Sequence, residues 1–295
     1  MSEDLKVALI GLDTSHTVEF ARRMQAPDCP PELRVPGLRA VTCLRFSTPF
    51  MDEAGLDERQ RQLEAWGIRV TTDFEEAVAD CHALMLEIND PAYHLEYFQK
   101  CAGLGKPLFL DKPLADTLEN GRAIYDLARQ QGTRVLSCSS LRFARKLEEA
   151  CATLPQPRYV STFGPLGIAP AGSSIVWYGV HAFEMLQRAL GRGARKVFAR
   201  RDRAGVVTLI EYEDGRRGVV ELTEGAYVYG GNLRDAGNCV PFVVDSSTLY
   251  SDQLQVVHRF FRGEDPPLQL EDTLEVMALL DAAERSSQRG SEVVL

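Results

Sequence analysis

Through the first 140 residues, short apolar runs alternate with stretches of helical spacing, and this alternation constrains the fold more than any other feature. Runs at 6–10, 38–44, 83–88, 107–110 and 134–139 have the length of strands. Most are near-continuous in Val, Leu, Ile and Ala, where a strand with one wet face would alternate with polar residues, so both faces are expected to be covered. A shorter strand is expected at 69–71. Helical spacing occupies 14–25, 73–79, the stretch through His94, Tyr97, Phe98 and Cys101, and 116–131, and a polar, acidic insertion at 47–66 ends in another helix. Strands and helices taken in turn predict a doubly wound parallel sheet.

The pattern changes near residue 140. A helix is expected at 142–152, and strands at 159–163, 196–201, 206–212, 218–223 and 240–244 then follow through turns such as Glu213-Asp214-Gly215. Consecutive strands predict a mostly antiparallel sheet. With an amphipathic helix at 177–190 and closing helices at 253–261 and 274–287, this half reads as an α+β domain. The sequence thus divides into domains at 1–140 and 141–295.

With 295 residues, 45% hydrophobic and 25% charged, the chain has an ordinary globular composition and enough length for an extensive core. A net charge of -9 argues against nucleic acid or an anionic membrane as partner, since either calls for a basic surface. No apolar run approaches the length of a membrane span. The seven cysteines are scattered and never form Cys-x-x-Cys, which suggests neither a disulfide framework nor a zinc ribbon. Reduced thiols, and an amino terminus without a basic-then-apolar targeting stretch, point to the cytoplasm.

Strand, Gly11 and helix at the start of the chain form the opening of a dinucleotide-binding unit. Where its fingerprint places three glycines, this chain has Gly11, Asp13 and His16. A carboxylate and an imidazole oppose the close backbone approach and tight helix packing that the missing glycines provide. The helix start still offers Thr14, Ser15 and Thr17 as hydroxyl donors to an anion. At the end of the second strand stands Arg45, which favours a phosphorylated ribose over the free hydroxyl that an acid would take.

The run at 107–110 stops at Asp111-Lys112-Pro113, ahead of a helix signalled by Asp116 and Glu119. Ligands of open α/β sheets bind outside the carboxyl ends of the strands, so Lys112 is aimed at whatever binds. Asp13, His16, Glu87, Asp90 and His94 fall at or just beyond such ends too, where they could gather as a polyol or metal site in place of a pyrophosphate site. Their spacing matches no recognised ligand pattern, and no metal is expected.

Thr72-Asp73-Phe74-Glu75-Glu76, the run at 83–88, His94, Gly105-Lys106-Pro107, Asp111-Lys112-Pro113, Arg142-Phe143, Gly179-Val180-His181 and the closing helices follow in a telling order. That order resembles the glucose-fructose oxidoreductase, inositol dehydrogenase and MocA family of nicotinamide-dependent oxidoreductases. The resemblance implies a Rossmann-type first domain for NAD or NADP, a second domain for substrate and subunit pairing, and a homodimer or homotetramer. Asp-Lys-Pro is similar to the family's Glu-Lys-Pro, whose lysine lies beside the nicotinamide and the reacting hydroxyl, and a cis peptide before Pro113 is implied. Lys112 would then be catalytic, and Gly11, Asp13, Thr14, Ser15, His16, Arg45, Asn89, Asp90, His94 and Asp111 would contact the cofactor.

The family's Asp-x-Gly-x-His corresponds to Trp177-Tyr178-Gly179-Val180-His181, followed by Glu184, so a tryptophan stands where the family has an acid. His181 is expected to act as a general base or to bind a substrate hydroxyl, and Trp177 to stack on a sugar ring, with Tyr178 and Arg142 on the substrate side. The expected activity is hydride transfer between a nicotinamide cofactor and a sugar, polyol or similar small hydroxylated substrate. The competing expectation, motivated by the altered glycines and Trp177, is a non-catalytic regulator that keeps the shell and binds a metabolite or dinucleotide.

Overall fold

The structure, a computed structural model, describes residues 4–295, and the three residues before them, part of the amino terminus read above, lie outside it. In chain order the elements are β1 (Leu5–Ile10), α1 (Ser15–Gln25), β2 (Leu38–Leu44), α2 (Glu53–Ala65), β3 (Arg69–Thr71), α3 (Phe74–Val78), β4 (Ala83–Leu86), α4 (His94–Ala102), β5 (Leu108–Leu110), α5 (Leu118–Gln131) and β6 (Val135–Ser137). There follow α6 (Arg145–Thr153), β7 (Tyr159–Pro165), α7 (Val180–Leu190), β8 (Ala194–Arg201), β9 (Gly205–Tyr212), β10 (Arg217–Thr223), β11 (Gly230–Arg234), β12 (Cys239–Val243), α8 (Leu249–Phe261), α9 (Leu270–Arg289) and β13 (Val293–Val294). Contacts divide the chain into two units. One holds residues 4–115, Arg122–Ser137 and Tyr250–Leu270, and the other Asp116–Gly121, Cys138–Leu249 and Glu271–Leu295.

In the first unit six strands pair in parallel in the order β3-β2-β1-β4-β5-β6. The order reverses direction between β1 and β4, the switch point at which such sheets open a crevice. Leu9, Ile10, Leu84, Leu86, Leu108 and Phe109 are fully buried, as the unbroken apolar runs require. Helices begin where short polar side chains take up a first-turn N–H: Thr14 accepts from His16, Asp52 from Gly55 and Asp73 from Glu76. Tyr250–Leu270, counted with the second domain in the sequence reading, joins this unit because Tyr250 lies edge-on to the His16 ring and Ser251 donates to the Leu33 carbonyl at 2.8 Å.

The second unit is a seven-stranded sheet, β12-β11-β7-β10-β9-β8-β13, antiparallel throughout except for the β7–β10 pair. Helix α7 lies on one face. The Thr162 hydroxyl donates to the Ala182 carbonyl at 2.9 Å, and a side chain at Gly218 would run into Leu186.

Three local departures have physical reasons. The strand at 83–88 leaves the ladder after Leu86, placing Glu87 just past the strand end. The helix at 177–190 opens instead as a π-helical turn, Ile175–Gly179, before α7. Strand β11 was invisible because its Gly-Gly-Asn-Leu-Arg has no β-branched residue. The sheet needs that composition, since a Cβ at Gly231 would sit 2.2 Å from the Ser161 carbonyl oxygen.

Candidate active site at the strand ends

Three consecutive backbone turns build the site in the first unit. Beyond β1 the chain passes through Gly11 at φ +109°, where a Cβ would lie 2.3 Å from the Glu87 carbonyl oxygen. Only glycine allows that approach of β1 to the end of β4. Backbone bonds continue past the strands, from Glu87 N–H to Ile10 (2.8 Å) and from Asp111 N–H to Leu86 (2.9 Å), so the two acids are held side by side. Lys112 follows on a turn whose Lys112–Pro113 peptide is cis, and its side chain is buried.

His16 sits in the first turn of α1 with Nδ1 2.6 Å from Asp111 Oδ2. The Phe20 and Tyr250 rings lie edge-on to it. Asp111 Oδ1 is buried without a partner, and so are both carboxyl oxygens of Glu87. The two acids diverge in proton affinity. Burial pushes Glu87 well above the usual carboxyl range and the Asp111 charge adds to this, while Lys112 opposes it only in part. For Asp111 burial pulls the same way, but the His16 contact and then Lys112 outweigh it, so that carboxyl lies below its ordinary value. The pair therefore keeps its charge on Asp111. One ligand atom each from His16, Glu87 and Asp111 lie within 4.8 Å of one another, so this set could also hold a metal ion.

Asp13 serves the loop around it. Its Oδ1 accepts from the Asn89 N–H at 2.8 Å, and Oδ2 accepts from the Thr48 hydroxyl at 2.6 Å and the Asp90 N–H at 3.3 Å. Thr17 donates to the Gly11 carbonyl at 3.0 Å, and Thr14 caps α1. Ser15 is exposed on the first turn. Asp90 accepts from the Ala92 N–H at 3.0 Å, starting a 3-10 turn. His94 is fully buried, its two ring nitrogens each 2.8 Å from a carbonyl oxygen, of Pro113 and Ile88, so it braces the turn after β5 against the end of β4. The Arg45 guanidinium is held at 2.7 Å by each of Gln60, Glu53 and Asp57. The structure thus gathers His16, Glu87, Asp111 and Lys112, and engages Asp13, Arg45 and His94 with their own neighbours.

A dinucleotide implied by this sheet order finds a mixed fit. The Gly11 turn, the start of α1 and the switch point are present. Over the turn, where a fingerprint glycine would leave room for pyrophosphate, stands the buried Asp13 carboxylate, already satisfied by two backbone N–H groups and a hydroxyl.

In the second unit, His181 Nδ1 lies 2.6 Å from Ser139 Oγ, which also accepts from the Leu141 N–H. The Tyr178 and Tyr229 rings meet His181 edge-on. Arg142 is buried and donates to Glu184 at 2.8 Å and to Gln187 at 2.6 Å, tying the turn at 140–143 to α7. Burial pushes the Glu184 carboxyl up, against the pull of Arg142 and the Ser139 N–H. Trp177 and Tyr178 lie on the π-helical turn, their rings 5.1 Å apart. Sequence reasoning missed Ser139 and Thr48, whose roles depend on partners 42 and 35 residues away and leave no spacing signal.

The parallel sheet and its switch point define a Rossmann-type fold. Residues 53–138 match the oxidoreductase family with an NAD-binding Rossmann fold, GFO_IDH_MocA. The match takes in Glu87, His94, Asp111 and Lys112 but not Gly11, Asp13, His16 or Arg45. No curated protein matches the chain.

Among solved structures, GenD2 from gentamicin A biosynthesis in complex with NAD is similar at 19% identity and a TM-score of 0.79, over 100% of this chain and 97% of that one. A myo-inositol dehydrogenase from Corynebacterium glutamicum aligns at 15% identity and a TM-score of 0.80, covering 99% of each chain. For myo-inositol 2-dehydrogenase from Lactobacillus plantarum the values are 14% and 0.81, over 99% and 100%. At such identities the likeness shows the fold. Among the described residues no helix is long and apolar enough to cross a membrane.

The raised Glu87 proton affinity has a signed consequence. The folded chain holds this proton more tightly than the unfolded one, so Glu87 costs stability as pH rises above about 4.3, its unfolded value. In chelator-treated protein, the stability of Glu87→Gln relative to wild type should climb by up to about 1.4 kcal/mol per pH unit above that point and be flat below it. Urea unfolding across pH would show this, and a constant difference would mean that Glu87 is ionised in the fold.

Proposed function

We propose that this protein is an oxidoreductase that moves a hydride between a small polyhydroxylated substrate, of the sugar or inositol kind, and NAD or NADP. The observation that carries the reading is Lys112, a buried ammonium on the rigid turn after β5, beside two acids of opposed proton affinity. Oxidising an alcohol requires its O–H proton to depart as the hydride leaves, and a nearby ammonium stabilises the developing alkoxide or relays that proton. The family match over residues 53–138 and the inositol dehydrogenases among the structural neighbours support the same chemistry. The dinucleotide would supply the hydride acceptor and nothing more.

His181, oriented by Ser139, takes a substrate hydroxyl or its proton, and Trp177 offers an aromatic face to a sugar ring. Arg142 acts through α7 as a positioning residue, since Glu184 and Gln187 hold its guanidinium. We place the protein in the cytoplasm on its scattered cysteines, and assign it a homodimer or homotetramer. Opposite the α7 side of the second sheet, Tyr159, Phe163, Phe198 and Val207 are exposed side chains on the faces of neighbouring strands, a surface suited to a second copy. Light scattering should give a mass above one chain, and Phe198→Glu should lower it; a monomeric wild type contradicts the assignment.

A second reading rests on Asp13, whose carboxylate stands where pyrophosphate would approach: a metabolite- or dinucleotide-binding regulator without turnover. Titration with NADH and NADPH, followed by energy transfer from Trp66 and Trp177, separates the two. The oxidoreductase reading expects binding, turnover on an inositol or hexose panel, and loss of turnover with retained binding in Lys112→Met. Binding without turnover on any polyol favours the regulator, and silence with both nucleotides at millimolar concentration removes the first reading.

A further inference from the structure

His16 at the third fingerprint position, Glu87 beyond β4 and Asp111 beyond β5 stand together in the first unit. Glu87 is fully buried and neither of its oxygens has a hydrogen-bond partner; Asp111 Oδ1 shares that condition. A carboxylate buried without partners costs several kcal/mol. A proton on Glu87 removes the charge but leaves a carboxylic O–H without an acceptor, since Glu87 makes no bond of either kind. The Lys112 ammonium lends its charge without a hydrogen bond to either oxygen. Two acids with unpartnered oxygens thus each bring a ligand atom to within 4.8 Å of the other and of the His16 imidazole.

We propose that His16, Glu87 and Asp111 bind one divalent transition-metal ion, zinc above all. Zinc bonds to carboxylate oxygen and imidazole nitrogen are about 2.0–2.2 Å long, so ligand atoms on one tetrahedral ion stand roughly 3.3–3.6 Å apart. The three groups, within 4.8 Å of one another, reach that spacing by a side-chain contraction of about 1 Å around the ion, with the His16–Asp111 pair opening from 2.6 Å. Asp111 has Oδ1 to give while Oδ2 now engages His16, and ligation through Nδ1 would exchange that bond for one to the ion. An imidazole in the set selects zinc over magnesium or calcium, which take oxygen donors. Two carboxylates against one divalent ion and one lysine leave a site of single positive charge, balanced by an anionic or easily deprotonated oxygen ligand. Three protein ligands leave a coordination position for water or for a substrate hydroxyl or carbonyl oxygen, next in sequence to Lys112. His16 is then the exchange of a packing glycine for a metal ligand.

The proposal stands apart from the oxidoreductase reading, and its test needs no activity. Full-length protein is stripped with chelator, dialysed against zinc in the presence of excess magnesium, and assayed for bound metal, with cobalt(II) absorption reporting the ligand set. Cys239, the exposed thiol, is the obvious adventitious ligand, so Cys239→Ser is carried alongside. We expect one tightly held zinc per chain, kept in Cys239→Ser and lost in Glu87→Gln and His16→Ala, with protons released on binding. Far-UV circular dichroism checks each variant, and Glu87→Gln, nearly isosteric, suffices should His16→Ala fail to fold. No zinc uptake, uptake unchanged in Glu87→Gln, uptake that follows Cys239, or magnesium held in place of zinc would each overturn it.

Discussion

Two carboxyl groups, Glu87 and Asp111, are buried side by side because parallel strands β4 and β5 end in register, with the backbone of each bonded to the strand beside it. The surroundings of the first unit's crevice answer that constraint. His16 comes down from α1 to meet Asp111, Lys112 lies next in the chain, and Gly11 thins the backbone so that β1 can approach the end of β4. Two acids in apolar surroundings cannot share water's stabilisation, so their proton affinities part, and the group with a cationic or hydrogen-bonding partner keeps the charge. Lys112 thereby stands beside two acids at the end of the strand.

The same logic separates this chain from the ordinary form of its fold. A glycine turn under a helix start presents N–H groups to pyrophosphate. Here Asp13 brings its own anion to that turn and uses it to hold the loop after β4, through the Asn89 and Asp90 amides, and the segment around Thr48. Arg45 is likewise spent on Glu53, Asp57 and Gln60. The altered fingerprint is therefore a connected set of interactions, in which each substituted residue has a partner supplied by another loop.

Much of the fold was legible because its signals are local. Unbroken apolar runs mark doubly covered strands, and Asp52 and Asp73 mark helix starts, so the parallel sheet could be read from pattern alone. Strand β11 could not, since Gly230 and Gly231 are chosen for the crowding they avoid. Lys112 was legible as a group at a strand end. The partnership of His16 with Asp111, 95 residues apart, was not, and neither were the uses of Asp13 and Arg142, because hydrogen bonds between loops leave no period in the sequence. His94 shows the reverse case: it stands beyond a strand end like a ligand-binding residue, yet both ring nitrogens serve backbone carbonyls.

The central claim is that burial parts the two proton affinities, so that of this pair Asp111 is the one to carry the charge and Glu87 the one to hold a proton. Infrared spectroscopy of chelator-treated protein at neutral pH reads this directly, through the carbonyl stretch of a protonated carboxyl group. The account predicts such a band in wild type and its loss in Glu87→Gln. A wild-type spectrum without the band, or a band that persists in Glu87→Gln and disappears in Asp111→Asn, would contradict it.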